Sequence, residues 1–132
     1  MRWDFTRLQP FDPLRPLGMF HHPQASMPIP ESSNVYSPEG PIDLHVSPAV
    51  RASLCAMIDR RPERIVVDLS RVPYLDSSGL AVLIGAMQSL EHEGGRFMLA
   101  GVTEPVRMIL ESARLDQYFL IFPHVDAALA AI

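Results

Sequence analysis

The residues that could do chemistry stand together in one short stretch, LDSSGL at positions 75–80. An acid, two hydroxyls and a glycine lead here into an apolar segment that repeats with helical spacing. Its predicted buried positions are Leu80, Leu83, Ile84, Met87 and Leu90. The start of a helix carries unpaired backbone N–H groups, which a serine side chain commonly caps. Two adjacent serines after an aspartate exceed what capping needs, so the extra hydroxyl indicates a functional corner.

A hydroxyl at this position is a candidate phosphate acceptor. Ser77 is expected in an exposed loop between a strand and a helix, within reach of another protein. A phosphoryl group there adds about −1.5 to −2 charges, which a helix N-terminus favours by roughly 0.3–1 kcal/mol. Modification would leave the fold intact, whereas an interface that buries the charge without matching cations would be weakened strongly. The alternative, which the local spacing alone favours, is that Ser77 and Ser78 only cap the helix.

Hydrolytic, metal and nucleotide chemistry find little support in the sequence. Ser77 or Ser78 could be a nucleophile with His45, His92 or His124 as its base, but G-x-S-x-G and S-x-x-K patterns are missing. No pair of Cys and His residues has a recognised ligand spacing, and no glycine pattern typical of a phosphate-binding loop follows a strand. We therefore predict a protein that is not an enzyme, with no catalytic residue, no metal and no cofactor.

The composition is that of one globular domain and limits the choice of partner. The chain has 132 residues, with 15 acidic residues and 11 basic residues that are all Arg, and a net charge of −4. An acidic chain without a basic patch argues against nucleic acid and anionic membrane as partners. No apolar run reaches membrane-spanning length and no signal-peptide pattern is present, so the expected compartment is the cytoplasm. The single cysteine, Cys55, excludes an internal disulfide framework.

The first 33 residues differ from the rest because they hold six of the 13 prolines. Apolar side chains recur here at every third position, the repeat of polyproline II: Phe5, Leu8, Phe11, Leu14, Leu17 and Phe20. This row predicts an arm that docks on the domain or on a second subunit. In the second case the protein would be a homo-oligomer. The alternative is an undocked tail with accidental spacing. We assign residues 1–23 to a proline-rich N-terminal arm and residues 24–132 to the folded domain.

Strands and helices alternate in the remainder of the chain. The predicted strands are residues 35–36, 65–69, 96–100 and 119–122, and a short helix is predicted over 125–132. Ser47 and Thr103 are predicted to cap two further helices, each with a proline in its first turn. The second of these is expected to face inward with Val106, Ile109, Leu110 and Ala113. Such alternation predicts an α/β domain with at least part of its sheet parallel.

Six motifs in order resemble the STAS domain and, within that family, the bacterial anti-sigma factor antagonists. They are GPID at 40–43, VVDLS at 66–70, YLDSSGLAVL at 74–83, EGGRFMLAGV at 93–102, PVRMIL at 105–110 and LDQYFLIF at 115–122. Their order and intervals fit from about Gln24 to Ile132. Pro41 departs from the pattern, because the family usually shows Glu at this position of the first motif.

The resemblance implies a fold, a site and a partner. The implied fold is a STAS-like mixed β-sheet of four to five strands backed by about four α-helices. The implied phosphate acceptor is Ser77, and the implied partner contacts are Asp43, Asp76, Ser77, Ser78, Gly79 and Leu80. The implied partner is an anti-sigma factor that is itself a serine kinase with a histidine-kinase-like ATPase fold. Unphosphorylated protein would bind it and release a sigma factor, phosphorylated protein would dissociate, and a metal-dependent serine phosphatase would reset the switch.

Two other roles within the same family stay open at this point. One is a non-catalytic STAS subunit of a lipid-transport ABC system, in which the serine need not be modified. The other is a scaffold element like those of the stressosome. The genes next to this one would separate an anti-sigma factor with a kinase fold from transporter subunits.

Overall fold

The computed structural model describes residues 34–131, in which four strands alternate with four helices. The strands are β1 (Val35–Tyr36), β2 (Arg64–Asp68), β3 (Arg96–Ala100) and β4 (Leu120–Phe122). The helices are α1 (Ser47–Asp59), α2 (Ser77–His92), α3 (Glu104–Ser112) and α4 (Val125–Ala130). The predicted arm and residues 24–33 of the predicted domain lie outside the described residues, so the docking of the arm stays a prediction.

The four strands form one sheet in the order β1-β2-β3-β4, and every pairing is parallel. The two central strands are covered on both faces, which explains why their sequences are nearly continuous apolar runs. The predicted α/β class, with four to five strands and about four helices, is confirmed by the four strands and four helices within residues 34–131. Within residues 34–131 the sheet is parallel throughout, whereas the resemblance implied a mixed sheet.

The sheet separates two apolar layers. On one face, Ile65 and Val67 of β2 and Phe97 and Leu99 of β3 pack in a cluster with residues of α1, α2 and α3. On the other face, a smaller cluster joins the alternate strand residues to α4; its buried members are Val66, Met98, Ala100 and Ala128. Burial of each Val, Leu, Ile, Phe or Met side chain in these clusters stabilises the fold by about 1.5–3 kcal/mol. The two clusters together fix the central strands and hence the loops that follow them.

The buried face of α2 is broader than its sequence pattern predicts. Leu80 and Ile84, two of the five predicted positions, are half-buried, while Val82 and Ala86 are buried. The reason is that α2 packs against both the sheet and α1, so one narrow stripe cannot cover its contacts. The first turn of α2 is held in place by this packing.

Predicted details at three helix ends differ from the structure. Ser47 is the first residue of α1 and is buried, and Val46 precedes it without a side-chain cap, so the predicted cap is wrong. Thr103 does precede α3, but its hydroxyl donates to the carbonyl of Val72 at 2.9 Å and does not cap the helix. Ala113 is exposed because α3 has already ended, so the prediction that it faces inward is wrong.

Candidate functional site

Two loops at the carboxyl ends of β1 and β2 lie side by side and form the candidate site. Ile42 in the first loop and Leu75 in the second form an isolated parallel β-bridge. The Ile42 amide donates to the carbonyl of Tyr74 at 3.0 Å, and the Asp76 amide donates to the carbonyl of Ile42 at 3.2 Å. This pairing places Asp43 next to Asp76, although the two residues are far apart in the sequence.

Gly79 is required where the start of α2 meets this bridge. It is buried, and a Cβ atom at this position would lie 3.0 Å from the carbonyl oxygen of Ile42 and 3.0 Å from the Cβ of Leu75. Since these are closer than ordinary van der Waals contacts, the absence of a side chain lets the helix approach the loops. Close packing of α2 against the two loops therefore explains the glycine at position 79, and its predicted contact with a partner stays a prediction.

Asp76 caps α2 with its side chain. Its Oδ1 atom accepts from the backbone amides of Ser78 at 2.9 Å and Gly79 at 3.2 Å, and from the hydroxyl of Ser78 at 2.5 Å. The Ser78 hydroxyl, with further help from the amides of Gly79, Ser78 and Leu44, lowers the pKa of Asp76 against an opposing effect of burial. The carboxylate is therefore anionic at neutral pH, and it already occupies donors that a helix N-terminus offers to an anion.

The two adjacent serines have different environments. Ser78 is half-buried, and its hydroxyl is held by Asp76. Ser77 is exposed at the first position of α2, and within residues 34–131 its hydroxyl has no hydrogen-bond partner. Because Asp76 is the cap, the alternative that both serines only cap the helix is wrong. The accessible hydroxyl of this corner is that of Ser77.

Asp43 organises the first loop in the same way. Its Oδ1 atom accepts from the amides of His45 at 2.9 Å and Val46 at 3.1 Å, and its carbonyl accepts from the amide of Ser47 at 2.8 Å. These bonds close the turn that leads into α1 and replace the cap that the sequence assigned to Ser47. The half-buried Asp43 carboxylate lies at the edge of the candidate site.

Leu80 completes the set of predicted site residues. Its amide donates to the carbonyl of Asp76 at 3.0 Å, and its half-buried side chain packs against the main core. The structure thus brings all six predicted residues into two adjacent loops and one helix turn. It does not test which of them contact a partner.

Three exposed apolar residues border this site and were missed by the sequence analysis: Leu44, Val46 and Tyr74. Leu44 and Val46 belong to the Asp43 turn, and Tyr74 precedes the Leu75 bridge. An isolated exposed apolar residue is common on protein surfaces, so its position in a sequence carries little information. Only the pairing of the two loops shows that these three residues belong to the same corner of the molecule.

Within residues 34–131, no hydrogen bond joins a histidine side chain to the hydroxyl of Ser77. His92 is the last residue of α2, and a helix rise of 1.5 Å per residue puts it roughly 22 Å from the first residue. His124 accepts from the Ala127 amide at 3.1 Å and caps α4. His45 is exposed in the Asp43 turn, where its backbone amide serves the turn.

The part of the chain that the structure describes contains neither a metal-binding cluster nor a membrane-spanning helix. No group of three or more His, Cys, Asp or Glu side chains among residues 34–131 is arranged to hold a metal ion. Among the helices of that same range, none combines the length and the apolar character needed to cross a bilayer.

Comparison with known proteins places the chain in a family. The sequence profile of the STAS domain matches residues 24–128, and the chain belongs to this family. The anti-sigma F factor antagonist of Paenibacillus polymyxa is 34% identical over 94 residues, which cover 70% of this chain and 78% of that protein. The crystal structure of an anti-sigma factor antagonist from Mycobacterium paratuberculosis is 33% identical, with a TM-score of 0.68 over 74% of this chain and 83% of that chain.

A further solved structure supports the fold. The Bacillus cell fate determinant SpoIIAA in its phosphorylated form is 24% identical, with a TM-score of 0.57 over 72% of this chain and 86% of that chain. At this level of identity the similarity shows a shared fold and no more. The fold of the described residues is therefore that of the STAS domain.

Proposed function

We propose that this protein is a cytoplasmic anti-sigma factor antagonist that works as a phospho-switch at Ser77. Without phosphate it binds an anti-sigma factor serine kinase and so releases a sigma factor. Phosphorylation ends this complex, and a serine phosphatase restores the binding form. The observation that carries the proposal is the exposed Ser77 hydroxyl at the start of α2, which has no hydrogen-bond partner within residues 34–131. The names of the relatives in Paenibacillus polymyxa and Mycobacterium paratuberculosis support the role.

The transfer step needs only the hydroxyl from this chain. The Ser77 oxygen attacks the γ-phosphorus of an ATP held by the kinase, the bond between that phosphorus and the bridging oxygen breaks, and ADP leaves. The hydroxyl proton passes to a base of the kinase. Asp76 is a poor candidate for this base, because its lowered pKa weakens it and the Ser78 hydroxyl already occupies it.

The added phosphate changes the surface and leaves the fold intact. Asp76 already binds the amides of Ser78 and Gly79, so a phosphoryl group on Ser77 extends into solvent next to an anionic carboxylate. An interface over this corner would have to remove water from a dianion, which costs several kcal/mol when no cation matches it. Since about 1.4 kcal/mol changes affinity tenfold, one phosphate is sufficient to dissociate a complex.

Phosphorylation assays with site variants test the proposal. The chain is incubated with candidate anti-sigma factor kinases from the same genome and magnesium-ATP, and the products are measured by intact-mass and peptide mass spectrometry. We expect one added phosphate, which Ser77→Ala abolishes and Ser78→Ala retains. Circular dichroism of both variants verifies that they are folded. Label on Ser78 alone, or no label with a kinase that binds the chain, would reject Ser77 as the acceptor.

A further inference from the structure

We infer that Leu44, Val46 and Tyr74 form an apolar docking surface for the kinase that phosphorylates Ser77. The kinase would cover this surface with apolar side chains bordered by arginine or lysine. The inference rests on the proposed function and specifies the chemistry of the partner's contact face. We refer to the three residues together as the apolar surface.

The exposure of these side chains is the first argument. Leu44 is 63% exposed, Val46 38% and Tyr74 50%, whereas Ile42 and Leu75, which hold the two loops together, are each 1% exposed. The two apolar residues that pair the loops are therefore buried, whereas the three residues of the apolar surface are exposed to solvent. Grouped apolar side chains of this kind mark interaction sites more often than isolated ones do.

The position of the apolar surface is the second argument. The bridge between Ile42 and Leu75 brings the loop that holds Leu44 beside the loop that leads to Ser77, and the backbone amide of Leu44 helps to lower the pKa of Asp76. Tyr74 and Asp76 flank the buried Leu75 in an extended segment, and alternation directs both side chains away from the core. Leu44 and Tyr74 are therefore exposed on the two paired loops that precede α1 and α2, the second of which leads to Ser77.

The other large exposed apolar side chains in residues 34–131 lie elsewhere. Tyr118 packs edge-on against Phe119, and its hydroxyl accepts from the Gln88 amide at 2.9 Å, so its position has a structural reason. Met108, which is 56% exposed on α3, and Leu120, which is 47% exposed on β4, lie outside the two site loops. They are matched in size and exposure to the apolar surface and serve as controls.

The negative charge of Asp43 and Asp76 is the third argument, because it indicates a partner with basic side chains. The carboxylates of Asp43 and Asp76 accept only from N–H and O–H groups, and neither has a cationic partner within residues 34–131. Glu39 differs, because Arg71 neutralises it at 2.7 Å. A second copy of this chain would place the same carboxylates against each other in a symmetric contact. A kinase face with a basic border matches them, and the apolar centre of that face excludes water from the neighbourhood of Ser77.

Binding measurements with matched variants test the inference. Each anti-sigma factor kinase encoded in the same genome is titrated with unphosphorylated chain, and the Kd is measured by isothermal titration calorimetry. We expect Leu44→Ser and Tyr74→Ser each to weaken binding more than tenfold, and Met108→Ser and Leu120→Ser to change it less than twofold. Urea unfolding identifies any variant that has lost its fold.

Asp43→Asn keeps the acceptor of the turn and removes its charge, so it tests the basic border without a change in packing. We expect its binding to be weaker than that of the unchanged chain at 50 mM salt and equal to it at 500 mM.

The outcomes separate this inference from the proposed function. If no such kinase binds the unchanged chain, both fail. If a kinase binds and phosphorylates Ser77 but Leu44→Ser and Tyr74→Ser bind as the two controls do, only the apolar surface is overturned. If sedimentation shows a homodimer that these two variants abolish while kinase affinity is unchanged, the surface belongs to a second copy, which also overturns the inference.

Discussion

The carboxylate of Asp76 holds the hydroxyl of Ser78 at 2.5 Å, and this bond distinguishes two serines that are equivalent in sequence. A hydroxyl that donates to an anionic carboxylate is fixed in orientation and shielded on one side. The hydroxyl of Ser77, one residue earlier, is exposed. The Ser77 hydroxyl is therefore the more accessible of the two, and Asp76 is the residue that sets the difference.

Asp76 should make the stability of the fold depend on pH. Its pKa is lowered in the folded chain, chiefly by the Ser78 hydroxyl. A lowered pKa stabilises the fold above the unfolded value of about 3.9, and this contribution is lost as the pH falls through the folded value. We expect Asp76→Asn, which keeps the acceptor but not the charge, to lower the free energy of unfolding at pH 7 by a few tenths of a kcal/mol, at most about 1 kcal/mol, because the site is solvated and Asn also caps helices well.

Urea unfolding between pH 7 and pH 2.5 measures this difference. The difference in free energy of unfolding between the unchanged chain and Asp76→Asn should be constant from pH 7 to about pH 5 and should decrease to zero at lower pH. Glu104→Gln, an exposed acid in the first turn of α3, serves as the control for general effects of charge. A gap that does not change with pH would contradict the assignment to the carboxylate.

Much of the fold could be predicted from local sequence. The strand at 96–100 agrees with the structure residue for residue, and the short strand at 35–36 was also located, because apolar runs between turn residues carry that information. Ser77 was identified as a candidate from its motif. The capping residue was not, because Asp76, Ser77 and Ser78 are all good caps and spacing does not choose among them.

The features that could not be predicted depend on contacts between distant parts of the chain. The bridge between Ile42 and Leu75 joins two loops and brings Leu44 close to Asp76, and no local pattern encodes it. The same holds for Thr103, whose hydroxyl was assigned to a cap but bonds Val72 in another loop. Residues such as these determine the shape of the site, while the motif determines only which residues it contains.

Gly79→Ala should destabilise the fold, although alanine is the better helix former. The new Cβ atom would lie 3.0 Å from both the Ile42 carbonyl oxygen and the Leu75 Cβ. Overpacking of this kind costs about 1–3 kcal/mol, which exceeds the roughly 1 kcal/mol gained in helix propensity. We expect a net loss of up to about 2 kcal/mol in the free energy of unfolding, measured in urea. Ser77→Ala, an exposed change in the same helix turn, should stay within about 0.5 kcal/mol of the unchanged chain, and equal behaviour of the two variants would show that the loops adapt.

Arg114→Gly should stabilise the fold. Arg114 follows the end of α3 with a φ of 61°, a left-handed conformation in which a side chain is strained. That conformation costs a residue with a side chain about 1–2 kcal/mol, and glycine recovers part of it after its larger entropy loss. We expect a gain of about 0.5–1 kcal/mol by thermal and urea unfolding. Ala113→Gly, at the preceding position with a φ of −89°, should not gain stability. If Arg114→Gly lowers the free energy of unfolding, the contacts of the arginine side chain stabilise the fold by more than its backbone strain destabilises it.

In the chain without substitutions, phosphorylation of Ser77 should change the free energy of unfolding only slightly, because two effects oppose each other. The dipole of α2 attracts the phosphate by about 0.3–1 kcal/mol, while the anionic Asp76 repels it and already binds the amides of the first turn. In Asp76→Asn the repulsion is absent. There phosphorylation should raise the free energy of unfolding by up to about 1 kcal/mol, the full attraction of the helix.

A thermodynamic cycle of four proteins, with Ser78→Ala in both phosphorylation states as a control pair, measures this coupling. Phosphoserine is incorporated at position 77 during translation, so that the variants do not depend on recognition by a kinase. Urea unfolding then compares the effect of phosphate in the unchanged chain and in Asp76→Asn, with Ser78→Ala as a control that retains the Asp76 charge. The same effect of phosphate in both backgrounds would show that Asp76 and the phosphate do not interact. If phosphate stabilises Asp76→Asn more than it stabilises Ser78→Ala, the Asp76 carboxylate repels the phosphate from the N-terminus of α2.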